Sequence, residues 1–196
     1  PKWFSTIFGV YVFVGFVQAS VAASILTIRM MQKHGYLSAI TVDHYHDLGK
    51  YLFGFSVFWA YIGVSQYLLI WYANVPEETT FYLLRQEPGW VWFSLLLPAL
   101  RFVLPFLLLL PRMAKRTPSY LEKVSVVVLI GAWVDLFWLI MPYFSPKGFT
   151  FSIFDIGLFL GFLGIFAFCV RRFLSRHASV PEKDPFLHET LHHHVM

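Results

Sequence analysis

Cysteine is nearly absent from this 196-residue sequence: Cys169 is its single thiol. A disulfide framework, a thiolate metal site and a covalent haem motif all need more than one cysteine, so none can form within the chain. Any electron carrier that works with it must belong to a partner. Charge is scarce as well. Lys, Arg, Asp and Glu supply 13% of the residues, against about 25% in an ordinary soluble domain. There is no obvious internal repeat. Histidine is missing where a membrane haem would need it, because His34, His44, His46, His177, His188 and the run His192–His194 all lie outside the apolar blocks. A membrane cytochrome b takes its ligands from histidines inside helices, so a bis-histidine haem within the spans is excluded. The terminal histidine run is a weak metal signal without further ligands.

Apolar residues take up the room that charge leaves. They make up 58% of the chain, aromatics alone 20%, and they fall in long blocks. A soluble helical core would interrupt such blocks with polar positions at helical period. Five blocks reach the twenty or so residues that a membrane span needs. They run from about Phe4 to Met31, Leu48 to Ala73, Pro88 to Leu110, Tyr120 to Tyr143 and Phe154 to Leu174. Trp3, Trp59, Trp71, Trp90, Trp92, Trp133 and Trp138 fall mostly near block ends, as in interfacial belts. The expected fold is therefore all-α and membrane-integral, with residues 1–176 forming a five-helix domain. The polar segment from His177 to Met196 is expected as an extended tail.

Local signals mark the starts and breaks. Pro88 suits the first turn of the third span. Ser119 with Glu122, and more loosely Ser152 with Asp155, have capping-box spacing. Pro76, Pro111, Pro118, Pro146 and Gly148 fall in the breaks. Lys2, Arg85 and Lys147 share the face on which the chain begins. Arg29, Lys33, Lys50, Arg112, Lys115, Arg116, Lys123, Arg171, Arg172, Arg176 and Lys183 share the other, and Arg101 lies inside the third span. The positive-inside rule makes the basic face cytoplasmic and puts residue 1 outside. This asymmetry also accounts for the net charge of +4 without nucleic acid as a partner. The chain begins with Pro1, so it is expected to be processed or to be a piece of a longer protein.

Arg101 and Asp135 are the sharpest chemical signal. Arg101 is eleven residues from Trp90, and Asp135 is eight from Tyr143 at the same face. At 1.5 Å per residue their depths differ by roughly 4 to 5 Å. The short connection between the third and fourth spans makes them antiparallel neighbours, so an ion pair is expected. Intramembrane charge marks a functional site by default; the alternative is a structural bridge locking two helices. Pro98 and Pro105 flank Arg101, and Pro105 leaves the Arg101 carbonyl without its helical donor. A free carbonyl beside a charge suits a quinone or proton site, or simply a bent helix.

The second span opens with DHYHDLGKY, which holds Asp43, His44, His46, Asp47, Lys50 and Tyr51. Histidines exchange protons near neutral pH, so His46, Asp47 and Lys50 form a candidate point of proton uptake. The alternative is an interfacial cap with a snorkelling lysine. A stripe through Asp47, Lys50 or Tyr51, Gly54, Phe58, Tyr61, Ser65 and Leu68 would carry a hydrogen-bonded route inward. Tyr61, Ser65 and Gln66 serve equally as inter-helix contacts. Glu77 and Glu78 are expected in an outer loop, as a proton exit, a docking surface or plain solvated acids. Gln18–Ser24 in the first span, and Gly157, Gly161 and Gly164 in the fifth, read as close-packing surfaces.

The segment HDLGKYLFGFSVFWAYIGVSQYLLIWYANVPEETTFY, from His46 to Tyr82, resembles the second half of an integral membrane subunit of bacterial alternative complex III. VDLFWLIMP, Val134 to Pro142, fits the same family. The likeness is best to its second quinone-binding-type subunit, ActF, a relative of the NrfD and polysulfide-reductase membrane subunits. It spans nearly the whole chain. Family members are roughly twice as long, so the resemblance implies a C-terminal half.

It also implies a multi-pass subunit of a quinol:electron-acceptor oxidoreductase in a bacterial inner membrane, passing electrons to cytochrome c or a similar carrier. Its partners would be a multihaem cytochrome c, an iron–sulfur subunit and a sister NrfD-like subunit, with haem c and iron–sulfur clusters held by those partners. The resemblance further implies a four-helix bundle with the fifth helix peripheral. It assigns Asp135 as the family's intramembrane acid, His46, Asp47 and Lys50 as the polar entrance to the second helix, and Glu77 and Glu78 as outer acids on a proton path. A bound quinone head group in contact with Arg101 or Asp135 would mark an active subunit and not an anchor. Two further readings remain: a purely structural anchor for extrinsic redox subunits, and half of a secondary transporter, where paired bundles and buried charges also occur.

Overall fold

The computed structural model describes residues 5–146, 148, 150, 152–177, 180, 185, 187 and 189. Lys2, Trp3, Lys147, Lys183, His188 and His192–His194 lie outside the described residues, as does most of the tail. The elements, in chain order, are α1 (Thr6–Lys33), α2 (Val42–Ala73), α3 (Pro76–Gln86) and α4 (Val91–Pro98), then a π-helical turn (Ala99–Val103). They continue with α5 (Leu104–Leu109), α6 (Arg112–Arg116), α7 (Pro118–Phe144) and α8 (Ile153–Leu174). Among the described residues, five helical stretches are long and apolar enough to cross a membrane: α1, α2, the combined α4–π–α5 unit Val91–Leu109, α7 and α8. The chain is an all-α, multi-pass membrane protein.

Several starts differ from the sequence expectation, each for a local reason. α2 begins at Val42, not Leu48, because Thr41 and His44 form a capping box that draws Asp43, His46 and Asp47 into the helix. The third span begins at Val91, since residues 87–90 form a turn that Pro88 occupies without entering the helix. α7 starts at Pro118, so Ser119 is inside it and makes no cap. Glu122 instead pairs with Lys33 at 2.7 Å and Arg29 at 3.4 Å, tying α7 to α1. The box at α8 forms as expected: Ser152 Oγ accepts from the Phe154 N–H, and Asp155 Oδ2 from the Ser152 N–H.

Glu77 and Glu78 are not in a loop. They occupy the first turn of α3, where Pro76 starts the helix and the N-terminal dipole favours acids.

α1, α2, the third span and α7 pack into a four-helix bundle. Its core divides by depth. One apolar cluster holds Ala22, Ile25, Leu52, Leu109, Leu121 and Val128. The other holds Tyr11, Val14, Trp59, Leu97, Val134 and Trp138. Gln18, Ser56, Arg101 and Gly131 fall between the two sets along their respective helices, so a polar layer is sandwiched between two apolar ones.

α8 stands apart from the bundle. None of its described residues is buried, and a Cβ added at Gly157, Gly161 or Gly164 would meet nothing within 4 Å. The close-packing surface expected there has no partner among the described residues. The stripe proposed along α2 also faces outward. Tyr51, Gly54, Phe58 and Tyr61 are exposed, and the buried side of α2 carries Leu52, Ser56, Trp59, Gln66 and Ile70 instead.

Candidate functional site: a charged layer in the bundle

Two prolines shape the third span around Arg101. Pro98 and Pro105 each lack an N–H, and the intervening backbone relaxes into the π-helical turn Ala99–Val103. The Arg101 carbonyl, deprived of a donor by Pro105, accepts a hydrogen bond from Gln18 Nε2 at 2.9 Å. The same amide group turns back on the side chain: Arg101 Nε donates to Gln18 Oε1 at 2.9 Å. One glutamine thus grips the backbone and the guanidinium of one arginine.

The other guanidinium nitrogens are also engaged. Nη1 donates to Asp135 Oδ2 at 3.0 Å and Nη2 to the Gly15 carbonyl at 2.9 Å. The guanidinium carbon lies 5.0 Å from the centre of the Trp59 ring, so the cation is stacked as well as paired. Trp59 is therefore part of the interior and not of an interfacial belt. On the other side Tyr11 donates its hydroxyl to Asp135 Oδ1 at 2.7 Å. Gln18 Nε2 also donates to Ser56 Oγ at 2.7 Å, and the Ser56 hydroxyl in turn donates to the Leu52 carbonyl at 2.7 Å. The network joins α1, α2, the π turn and α7.

Burial makes these contacts consequential. Arg101 is 2% exposed and Asp135 3%. A lone charge at mid-membrane costs about 2.5 to 3.5 kcal/mol on insertion scales. Attraction between unit charges 4 Å apart is about 4 kcal/mol at an effective dielectric of 20. The two charges together cost about 5 to 7 kcal/mol, so their mutual attraction recovers only part of the desolvation, and the surrounding hydrogen bonds and the ring stacking supply the rest. Two glycines make room for it. A Cβ at Gly15 would sit 3.1 Å from Arg101 Nη2, and one at Gly131 would sit 3.1 Å from Arg101 Cγ.

Edges of Arg101 and Asp135 form part of the wall of a cavity of about 810 Å³ between α1, α7 and α8. Its lining is almost wholly apolar; Thr27 and Asp155 are the other polar contributors. Along α1 it extends from Val12 to Thr27, about 22 Å at the helical rise. That is most of the hydrocarbon thickness of about 30 Å. The arrangement offers a long apolar slot with an ion pair at mid-depth.

The remaining sequence candidates lie elsewhere. Asp47 pairs with Lys50 at 2.6 Å, and Asp43 with Arg116 at 2.8 Å. His46 is buried beside this group, and its Nδ1 finds no hydrogen-bond partner among the described residues. It precedes Ser56 by ten residues, about 15 Å along α2, so it does not touch the charged layer. Glu77 is exposed and Glu78 partly buried on α3 at the opposite face.

Sequence reasoning missed Tyr11, Gly15, Gln18 and Ser56 as members of the site. The first three recur at four- and three-residue spacing on one face of α1, a signal legible only once Arg101 is known to need partners. It also missed Arg85, counted above as an outer-face charge. Arg85 is buried, donating from Nε to the Trp138 carbonyl at 3.1 Å and from Nη2 to the Leu139 carbonyl at 2.8 Å. Pro142 explains the first bond, because it removes the N–H that Trp138 would otherwise serve. Burial lowers the Arg85 pKa to about 10, still leaving it charged at neutral pH.

No protein-family model matches the chain, and no curated protein matches it.

Proposed function

We propose that this chain is an integral membrane subunit of a quinol:electron-acceptor oxidoreductase of the alternative complex III type. In this reading it supports quinol oxidation and proton movement and carries no redox centre of its own. One observation carries the reading: a buried Arg–Asp pair, joined to a tyrosine hydroxyl, forms part of the wall of a long apolar slot at mid-membrane depth. A slot of that kind fits an isoprenoid-tailed quinol, whose tail is apolar and whose head group exchanges protons. Asp135 would accept a proton or orient the head group, Arg101 would hold the carboxylate ionised, and Tyr11 would relay. His46, Asp47 and Lys50 would take up protons on the basic face, and Glu77 and Glu78 would release them on the other. Haem c and iron–sulfur clusters would belong to the multihaem cytochrome, the iron–sulfur subunit and the sister NrfD-like subunit. The membrane would be a bacterial inner membrane, with the basic face cytoplasmic.

A second reading, a structural anchor, is favoured by the saturation of the site. Every guanidinium nitrogen of Arg101 and both carboxylate oxygens of Asp135 have a partner. Asp135→Asn separates the two. Purified with its co-assembling subunits, the variant should keep its haem absorbance and lose most quinol-dependent electron transfer. Full turnover in an intact assembly would leave only the anchor.

A further inference from the structure

We propose that the end of α8 on the basic face holds the phosphate of an anionic phospholipid. Phe168, Arg171, Arg172, Ser175 and Arg176 line a separate cavity of about 410 Å³ there. Arg172 and Arg176 are four residues apart, as are Arg171 and Ser175, so the cationic groups and the hydroxyl gather on one side of the helix. At 3.6 residues per turn that side is roughly opposite Phe159 and Phe166, which face the slot. The cavity thus opens away from the bundle.

Depth selects the ligand. Arg171 lies eighteen residues beyond Ile153, the first residue of α8, about 27 Å along the helix. That puts the Arg171 backbone at the far edge of a hydrocarbon layer about 30 Å thick, from which the long arginine side chains reach the lipid phosphates. Phe168, one turn deeper and exposed, would lie against the upper acyl chain. Among the described residues none of the three arginines makes an ion pair, unlike Arg29, Lys33, Lys50 and Arg116 on the same face. The Ser175 hydroxyl donates to the Arg172 carbonyl at 2.9 Å, so its proton is already engaged and the arginines supply the donors to the phosphate. Planar guanidiniums bind phosphate bidentately, so three of them around one cavity are suited to a phosphodiester. Basic pockets at the cytoplasmic ends of membrane helices recognise anionic head groups on these terms.

The test is native mass spectrometry of the full chain, delipidated in detergent and titrated with phosphatidylglycerol or phosphatidylcholine. Phosphatidylglycerol should be retained in preference. The triple variant Arg171→Gln, Arg172→Gln, Arg176→Gln should lose on the order of a hundredfold in that retention, and the corresponding triple exchange to Lys should recover only part of it. Neutralising Lys33, Arg112 and Lys123 on the same face should leave it within about twofold, because their charge lies outside the cavity. Equal retention of both lipids, or an undiminished triple Gln variant, would overturn the proposal. So would displacement by millimolar glycerol phosphate, which would mark a site for free anions. A chain ending at His177 that binds much more lipid than the full chain would show the tail to be the occupant, and would overturn it too.

Discussion

Gln18 Nε2 donates at 2.9 Å to the Arg101 carbonyl, which Pro105 deprives of its ordinary helical donor. The sequence defect and its repair lie on different helices, 83 positions apart. Replacing Gln18 with Leu removes the donor and strands both the carbonyl and Arg101 Nε. Unsatisfied buried groups cost about 1 to 3 kcal/mol each, so Gln18→Leu should destabilise the bundle by about that much or more. In a Pro105→Ala background the carbonyl regains a helical donor, and the cost should shrink. A double-mutant cycle read by reversible unfolding in detergent measures the difference; strict additivity would show that Gln18 does not serve that carbonyl.

The ion pair should respond asymmetrically. Asp135→Leu leaves a buried guanidinium uncompensated and should cost about 3 to 5 kcal/mol, whereas Arg101→Met with Asp135→Leu should cost markedly less. Equal losses in the single and double variants, measured by the same unfolding assay, would contradict the pairing seen here.

Tyr11→Phe keeps the ring that lies 5.4 Å from Trp59 and deletes only the hydroxyl on Asp135. A hydrogen bond to a charged group is worth about 1.5 to 3 kcal/mol, and the loss should fall in that range. If Tyr11 relays protons, electron transfer in the assembled complex should fall by a larger factor than assembly itself.

Glycines give a contrast within one protein. Gly15→Val should force the Arg101 guanidinium aside, since a Cβ there comes within 3.1 Å of Nη2, and should destabilise the bundle by about 1 to 3 kcal/mol as overpacking does. Gly161→Val meets nothing within 4 Å and should leave the isolated chain unchanged. A loss confined to the assembled complex would place another subunit against that face.

Much of this was legible in the sequence, for identifiable reasons. Five spans stand out because apolar runs of that length have few alternatives. Arg101 and Asp135 stand out because charge at that depth is anomalous. The partners are different. Tyr11, Gln18 and Ser56 are unremarkable polar residues, and only the rotation of each helix decides which of them turn inward. Along α2 the rotation runs against the spacing: Tyr61 looks inward by spacing from Lys50 but is exposed, while Ser56 and Gln66 are buried. α3 escaped notice because eleven residues with two glutamates resemble a loop more than a helix lying across the bundle end. Arg85 was hidden by its context, since an outer-face arginine is ordinarily solvated.

α8 has its own lesson. Because no described side chain of this helix is buried against the rest of the chain, the free energy that folds the four-helix unit is set without it. Substitutions along its 22 residues are then free to retune the width of the slot and the lipids or proteins alongside, while the charged layer keeps its geometry. Adaptation to a new membrane or a new neighbour would leave its trace on the fifth helix first.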